Sequence, residues 1–292
     1  MRVLYFLSYS NVFIALCAAS LCSFCHLISF DKLPGGLLLG FVFSATLFAY
    51  NFHRRIGRIY QNKTELKHLK ATAFEKKEKW ISKNKVTIDL LIIISLCASL
   101  ILLYFLPKIT LALVFPLALL SVLYILEISK IPALRSIPFL KIFLIAFVWG
   151  GVMVLLPILA EGESDLIFTI ESQLLAIAIA LFVLAETIPF DIRDITEDRA
   201  TKLKTIPLKI GLKKSKQLSF IVYSLSAFLF MFNILYYGKS IIFAFAFGFS
   251  LLLSYLIIIQ INAHKKELYY SLLIESSLAF PLIFYFLLSF LT

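Results

Sequence analysis

Residues 3–30 contain no Asp, Glu, Lys or Arg, and nothing else in the chain constrains the fold as strongly. A signal-peptide core runs to roughly 7–15 residues, so this stretch is too long for one. It exceeds the roughly 20 residues a helix needs to cross a bilayer. Eight further apolar runs follow, at 37–52, 90–107, 109–126, 139–160, 166–189, 218–238, 241–263 and 268–291. Inside hydrocarbon every backbone N–H and C=O must be paired within the protein, and apolar runs of this length achieve that as helices. The sequence therefore predicts an all-α integral membrane protein with nine transmembrane helices. Composition agrees: 61% of residues are apolar and 15% charged, against roughly half and a quarter in soluble domains. No internal repeat or soluble insert is visible, so 1–292 reads as a single membrane domain.

Nine spans make a testable statement about charge. With the N-terminus in the cytoplasm, the cytoplasmic connections are 53–87, 127–138, 190–216 and 264–267, and the C-terminus lies on the opposite side. Of the 28 Lys and Arg, 25 then fall on or beside the cytoplasmic face, and only Lys32, Lys108 and Lys239 fall on the other. This is the asymmetry of the positive-inside rule. The net charge of +11 is thus a topology signal, and no nucleic-acid partner is expected. A bacterial inner membrane is the expected location. The basic connection 53–87 is long enough for one or two amphipathic helices lying on the surface. The cysteines Cys17, Cys22, Cys25 and Cys97 lie in apolar runs and read as small packing residues.

Against this basic background one acidic cluster stands out, at the end of the sixth run: Asp191, Asp194 and Asp198. Their three- and four-residue spacing puts the carboxylates on one helical face. Pro189 predicts a break or kink, after which the chain restarts as a short helix carrying them. Glu186 adds a fourth acid at the membrane edge, where a charge without a role is costly. Arg199, Lys202 and Lys204 follow closely. Carboxylates in register beside cations suit a divalent metal and a phosphorylated substrate.

The run from Asp191 through Asp194, Asp198, Lys204 and Thr205 to Gly211 resembles the second aspartate-rich motif of the UbiA-type intramembrane prenyltransferases, most closely the branch acting on naphthoquinone precursors. The resemblance implies a nine-helix bundle around a central cavity with a cytoplasmic-facing site. It implies transfer of an isoprenoid group from a prenyl diphosphate to an aromatic, quinone-precursor-like or other lipophilic acceptor within the lipid. Asp191, Asp194 and Asp198 would be the catalytic, magnesium-holding residues. Asn51, Arg54, Arg55, Arg199 and Lys204 would bind diphosphate.

The chain departs from that pattern in its first motif. Asn51 matches the family's asparagine, but the two aspartate positions hold Arg55 and Ile59, and Lys202 stands where glycine is usual. One magnesium site is therefore expected instead of two. Two readings follow. Arg54 or Arg55 replaces a metal and grips diphosphate with its guanidinium fork, or the protein is a catalytically inactive lipid-binding or scaffold relative. Other intramembrane polar residues are chamber candidates: Asn11, Gln173, Asn233, Gln260 and Glu275, with Lys141 and Trp149 on the fifth run. Lys141 is read first as snorkelling to the interface. Glu275 calls for a partner or a role, and Asp89 reads as a helix cap.

Overall fold

The computed structural model describes residues 2–61, 74–126, 133–200, 203–262 and 265–291, and the described residues are helical with no strand. Seven helices are long and apolar enough to cross a bilayer: Val12–Phe30 (α2), Gly36–Ile56 within α3 (Gly36–Gln61), Lys85–Phe105 (α5), Leu140–Ala160, Ile170–Arg193 (α9), Ile206–Tyr236 (α11) and Ile241–Ile259 (α12). Thr110–Ile125 (α6) and Phe280–Ser289 (α13) are apolar but shorter. The span Leu140–Ala160 comprises α7 (Leu140–Gly150), one π-turn (Gly151–Leu155) and α8 (Leu156–Ala160).

The first apolar run is two helices, not one. Arg2–Tyr9 (α1) ends at Ser10, and Asn11 turns the chain with a left-handed φ of 61° before α2 begins. Asn tolerates that conformation better than most residues. The break exposes backbone carbonyls that lipid cannot satisfy, and α3 supplies the partners. Asn51 donates to the Ser10 carbonyl at 2.9 Å and accepts from Asn11 Nδ2 at 2.9 Å. Arg54, one turn on, donates to the Tyr9 carbonyl at 2.8 Å and to Asn11 Oδ1 at 2.9 Å.

The centre of the bundle is α9. Most of its length is buried, and it packs most extensively on α11 and α7. Hydrogen bonds tie α11 to it: Ser226 donates to the Ala178 carbonyl and Asn233 to the Glu171 carbonyl, each at 2.7 Å. On the α7 side a Cβ added at Gly150 would stand 2.8 Å from the Ala176 carbonyl oxygen. Only glycine permits that approach. Around α9 the core is aromatic, with Phe230 stacked on Phe247 at 4.1 Å and Phe182 edge-on to Phe247 at 5.4 Å. By contrast α5 buries little of its surface and lies at the rim.

Pro189 does not break α9, which runs on to Arg193. The interruption comes at Asp194, where ψ is 4°, before the short α10 (Ile195–Ala200). Of the expected surface helices in 53–87, Phe74–Lys83 (α4) is present, and 62–73 lie outside the described residues. The last run is also divided: a π-turn at Tyr269–Ile274 and then α13. The cysteines are free thiols: Cys17, Cys22 and Cys25 are buried, as packing residues should be, whereas Cys97 is exposed.

Candidate active site

The end of α9, the α9–α10 junction and the connections beside them build a charged surface at one end of the bundle. Asp191, on the last turn of α9, is buried and accepts a hydrogen bond from Lys141 Nζ at 2.7 Å. Lys141 does not snorkel outward; its partner is the motif itself. Asp194, at the junction, accepts from both Arg193 Nε (2.7 Å) and Nη2 (3.1 Å). Burial alone would raise the Asp194 pKa, but the Arg193 charge and its fork of hydrogen bonds bring it below the usual carboxylate range. Asp198, on α10, is buried, and its carbonyl accepts from the Leu203 amide at 2.9 Å.

Arg193 reaches further. Its Nη1 lies 3.2 and 3.3 Å from the two carboxylate oxygens of Glu267, and Lys77 of α4 donates to the same carboxylate. Glu267 is 3% exposed and Lys77 5%, so the amphipathic helix is latched onto the bundle through a buried ion pair. Burial again works against the charge of Glu267, and Arg193 and Lys77 outweigh it, holding its pKa below the usual value. Arg54 acts electrostatically on this cluster through Lys77.

A second wall of the site is a pocket lined by Arg135, Ser136, Ile137, Phe139, Lys141, Ile142, Asp191, Leu203, Lys204, Thr205 and Ile206. It joins the connection before α7 to the segment leading into α11. The Phe139 amide meets the Lys204 carbonyl at 3.4 Å, with Phe139 held at φ 65°. The residues the sequence singled out thus separate. Asp191 and Lys204 share the pocket. Asp194 faces Arg193 and Glu267. Asn51 and Arg54 brace the α1–α2 break. Arg55 turns to Asp89 on α5 at 3.0 Å, so Asp89 is an ion-pair partner and not a cap. Arg199 is exposed, and Lys202 lies outside the described residues. Glu186 accepts a 2.5 Å hydrogen bond from Tyr223 on α11.

A family model described as the UbiA prenyltransferase family matches residues 79–285, more than two thirds of the chain. The chain belongs to the UbiA prenyltransferase family. A solved UbiA homologue from Aeropyrum pernix K1 superposes with a TM-score of 0.62 at 16% identity, covering 94% of this chain and 97% of that one. A solved structure concerned with digeranylgeranylglyceryl phosphate synthase in membranes gives 0.57 at 17% identity, with 98% of both chains covered. At such identities these likenesses speak for the fold. No curated protein matches the sequence.

Within this UbiA member the acidic motif does not form a metal cage in the conformation described. Among the described residues no three His, Cys, Asp or Glu side chains stand close enough to hold an ion. Asp191 and Asp194 already carry protein cations, Lys141 and Arg193. Sequence reasoning missed Lys77, Glu267 and Arg135, and gave no separate role to Arg193 and Thr205 inside the motif run. The three missed residues come from other parts of the chain, where neither helical period nor spacing links a residue to α9. The remaining chamber candidates are largely structural: Gln173 and Gln260 donate to the carbonyls of Ile167 and Leu256. Glu275 Oε2 and Asn233 Oδ1 are the exceptions, buried and unbonded among the described residues.

Proposed function

We propose that this protein transfers an isoprenoid group from a prenyl diphosphate to a lipophilic acceptor within the membrane, the acceptor being an aromatic quinone precursor or another lipid. The observation that carries the reading is the co-location of Asp191, Lys141 and Lys204 at the end of the central helix of a UbiA-family bundle. In the reaction the C1–O bond of the donor breaks, and its electron pair leaves with the diphosphate. The acceptor then bonds to C1 and gives up a proton. Fixed cations beside the leaving oxygens stabilise that developing charge. Lys141, Arg193 and Lys204 supply such charges here. Asp191, Asp194 and Asp198 would hold magnesium, which would supply further positive charge to the leaving diphosphate, only with Lys141 and Arg193 released from their carboxylates.

The architecture of the proposal is a single membrane domain over 1–292. Its nine spans comprise the seven long helices with α6 and α13, and the prenyl chain lies in a central cavity between them. The N-terminus and the acidic motif face the cytoplasm of a bacterial inner membrane, and the C-terminus faces the other side.

The test is direct. Purified protein is given labelled prenyl diphosphates of several lengths with candidate quinone precursors, with and without magnesium. Pyrophosphate release that falls by at least about 100-fold in Asp191→Asn supports the enzyme, on the scale of a lost transition-state contact. No release with any donor sinks it. One observation favours a second reading, a lipid-binding relative without catalysis. Asn51 and Arg54 spend their hydrogen bonds on the α1–α2 break, and Arg55 on Asp89. Donor binding without turnover would select that reading.

A further inference from the structure

We propose that Glu275 is the group that meets the acceptor: its unpaired carboxylate oxygen holds the acceptor's hydroxyl and takes the proton that the acceptor loses. The inference rests on the functional reading above and deepens it, because that reading gives the proton no destination.

The carboxyl itself makes the first argument. Glu275 Oε2 is buried and, among the described residues, has no hydrogen-bond partner. Buried polar atoms are ordinarily paired, and an acid within a membrane span is kept where it has a partner or a role. Glu186 also leaves one oxygen unbonded, but Tyr223 holds the other and Ser254 and Ser277 stand close. That acid is enclosed by hydroxyls, and Glu275 is not.

The backbone makes the second. A π-turn over Tyr269–Ile274 ends on Glu275. The amides of Leu278 and Ala279 then bond only three residues back, to the carbonyls of Glu275 and Ser276 at 3.3 and 2.9 Å, before α13 begins at Phe280. Irregular backbone at membrane depth is tolerated where it is buried in protein or lines a cavity. Single π-turns recur at functional sites.

The surroundings make the third. Cys17 of α2 and Tyr50 of α3 lie close enough to feel the charge of Glu275, and Trp149 of α7 stands within hydrogen-bond reach of Tyr50. Glu275 and Tyr50 are enclosed by protein yet keep accessible surface, so they border a space. A phenol, an indole and a thiol beside one acid suit a flat aromatic ring that carries a hydroxyl, the mix of apolar wall and few polar groups typical of small-molecule sites. The charges acting on the carboxyl are those of Lys77, Arg193, Arg54 and Glu267, and three of these four attract a carboxylate. Arg193 also holds Asp194, which ties Glu275 to the end of the bundle that carries the acidic motif.

The chemistry balances without a further reagent. As the acceptor bonds to C1 of the donor, its O–H bond breaks and the electron pair stays on the acceptor. The proton forms a new O–H bond at Glu275 Oε2, and the resulting acid returns it to solvent after the product leaves.

Naphthol and its methyl ether are the probes, titrated calorimetrically into detergent-purified full-length protein with inorganic pyrophosphate and magnesium present. The unaltered protein should bind naphthol about tenfold or more tighter than the ether, the scale of a charge-assisted hydrogen bond. In Glu275→Leu that preference should vanish, with pyrophosphate affinity unchanged. Its melting temperature should hold or rise, because an unpaired buried oxygen is removed. Glu275→Gln serves the same comparison if the leucine variant fails to fold. No preference in the unaltered protein, or a full preference in the variants, overturns the proposal. Where an acceptor is turned over, Glu275→Gln should lower kcat by at least about 100-fold, the scale of general-base catalysis, with KM for the donor unchanged. The fall in rate at acid pH should disappear with it, and Glu275→Asp should restore part of the rate. Undiminished transfer in Glu275→Gln overturns the proposal and leaves the enzyme standing. No transfer with any acceptor removes the enzymatic reading, while a naphthol preference that depends on Glu275 would still assign the hydroxyl seat to this carboxyl.

Discussion

Two ion pairs of similar appearance should behave very differently. Arg55 and Asp89 are 36% and 38% exposed, whereas Lys77 and Glu267 are 6% and 3%. Surface pairs contribute under about 1 kcal/mol. Breaking a buried pair by removing one partner costs about 3–5 kcal/mol, because a charge is left stranded. Asp89→Ala is therefore expected to leave thermal stability in detergent nearly unchanged, and Lys77→Ala to lower it clearly more, by less than the full cost of a stranded charge because Arg193 still holds Glu267. Equal melting shifts would show that α4 is not latched. Acid should release the same latch. Asp194 and Glu267 both have folded pKa values below their unfolded ones. The stability they contribute is present above the unfolded values, about 4. It is lost as pH falls through the folded ones. Melting curves between pH 7 and pH 3 should drop in that window, and the drop should shrink in Glu267→Gln. The sequence displayed Asp194 because its spacing had a helical period. Glu267 had no such signal: it is one acid in a short basic connection, and only the folded chain brings it to Arg193.

Elements were legible where apolar length alone decides and illegible where breaks are satisfied by partners far along the chain. The run 3–30 reads as one span because nothing in it forbids a helix. Its break at Asn11 is stable only because Asn51 and Arg54 meet the exposed carbonyls. Both are among the residues the sequence reading gave to diphosphate, so that reading and local structure compete for the same side chains. The opposite error occurred at Pro189. Proline favours a break, yet burial along α9 carries the helix past it to the Asp194 junction. Close packing on α9 can be tested at α7. Gly150→Ala would place a methyl 2.8 Å from the Ala176 carbonyl and 3.0 Å from the Ala180 Cβ. Neither neighbour is a flexible side-chain end, so the helices must separate, at about 1–3 kcal/mol for overpacking. A lower melting temperature without loss of pyrophosphate binding is the expected result, because the contact lies away from the pocket. An unchanged melting temperature would mean that α7 and α9 are less tightly joined than described.

At the scale of the whole molecule, orientation decides whether the site meets a soluble leaving group in the right compartment. Asp191, Lys204, Arg193, Lys77 and Glu267 all gather at one end of the bundle, although they come from three different connections. The opposite end carries a separate polar clasp, where Lys32 donates to Glu161 at 2.6 Å and His26 lies 3.0 Å from the same carboxylate. The proposal puts the first end in the cytoplasm on the charge count of the sequence, in which 25 of 28 basic residues fall on or beside that face when nine spans are counted. In that proposal Arg193 and Lys77 are topology signals and site residues together. Single-cysteine labelling separates the two orientations. In a Cys97→Ser background, where the other cysteines are buried, Lys108→Cys and Lys266→Cys sit on opposite faces, and both positions are exposed. A membrane-impermeant maleimide added to intact bacterial cells should label Lys108→Cys at once. Lys266→Cys should react only after permeabilisation. The reverse pattern would put the acidic motif outside the cell, away from cytoplasmic diphosphate donors. It would remove the prenyl-transfer reading while leaving the fold untouched.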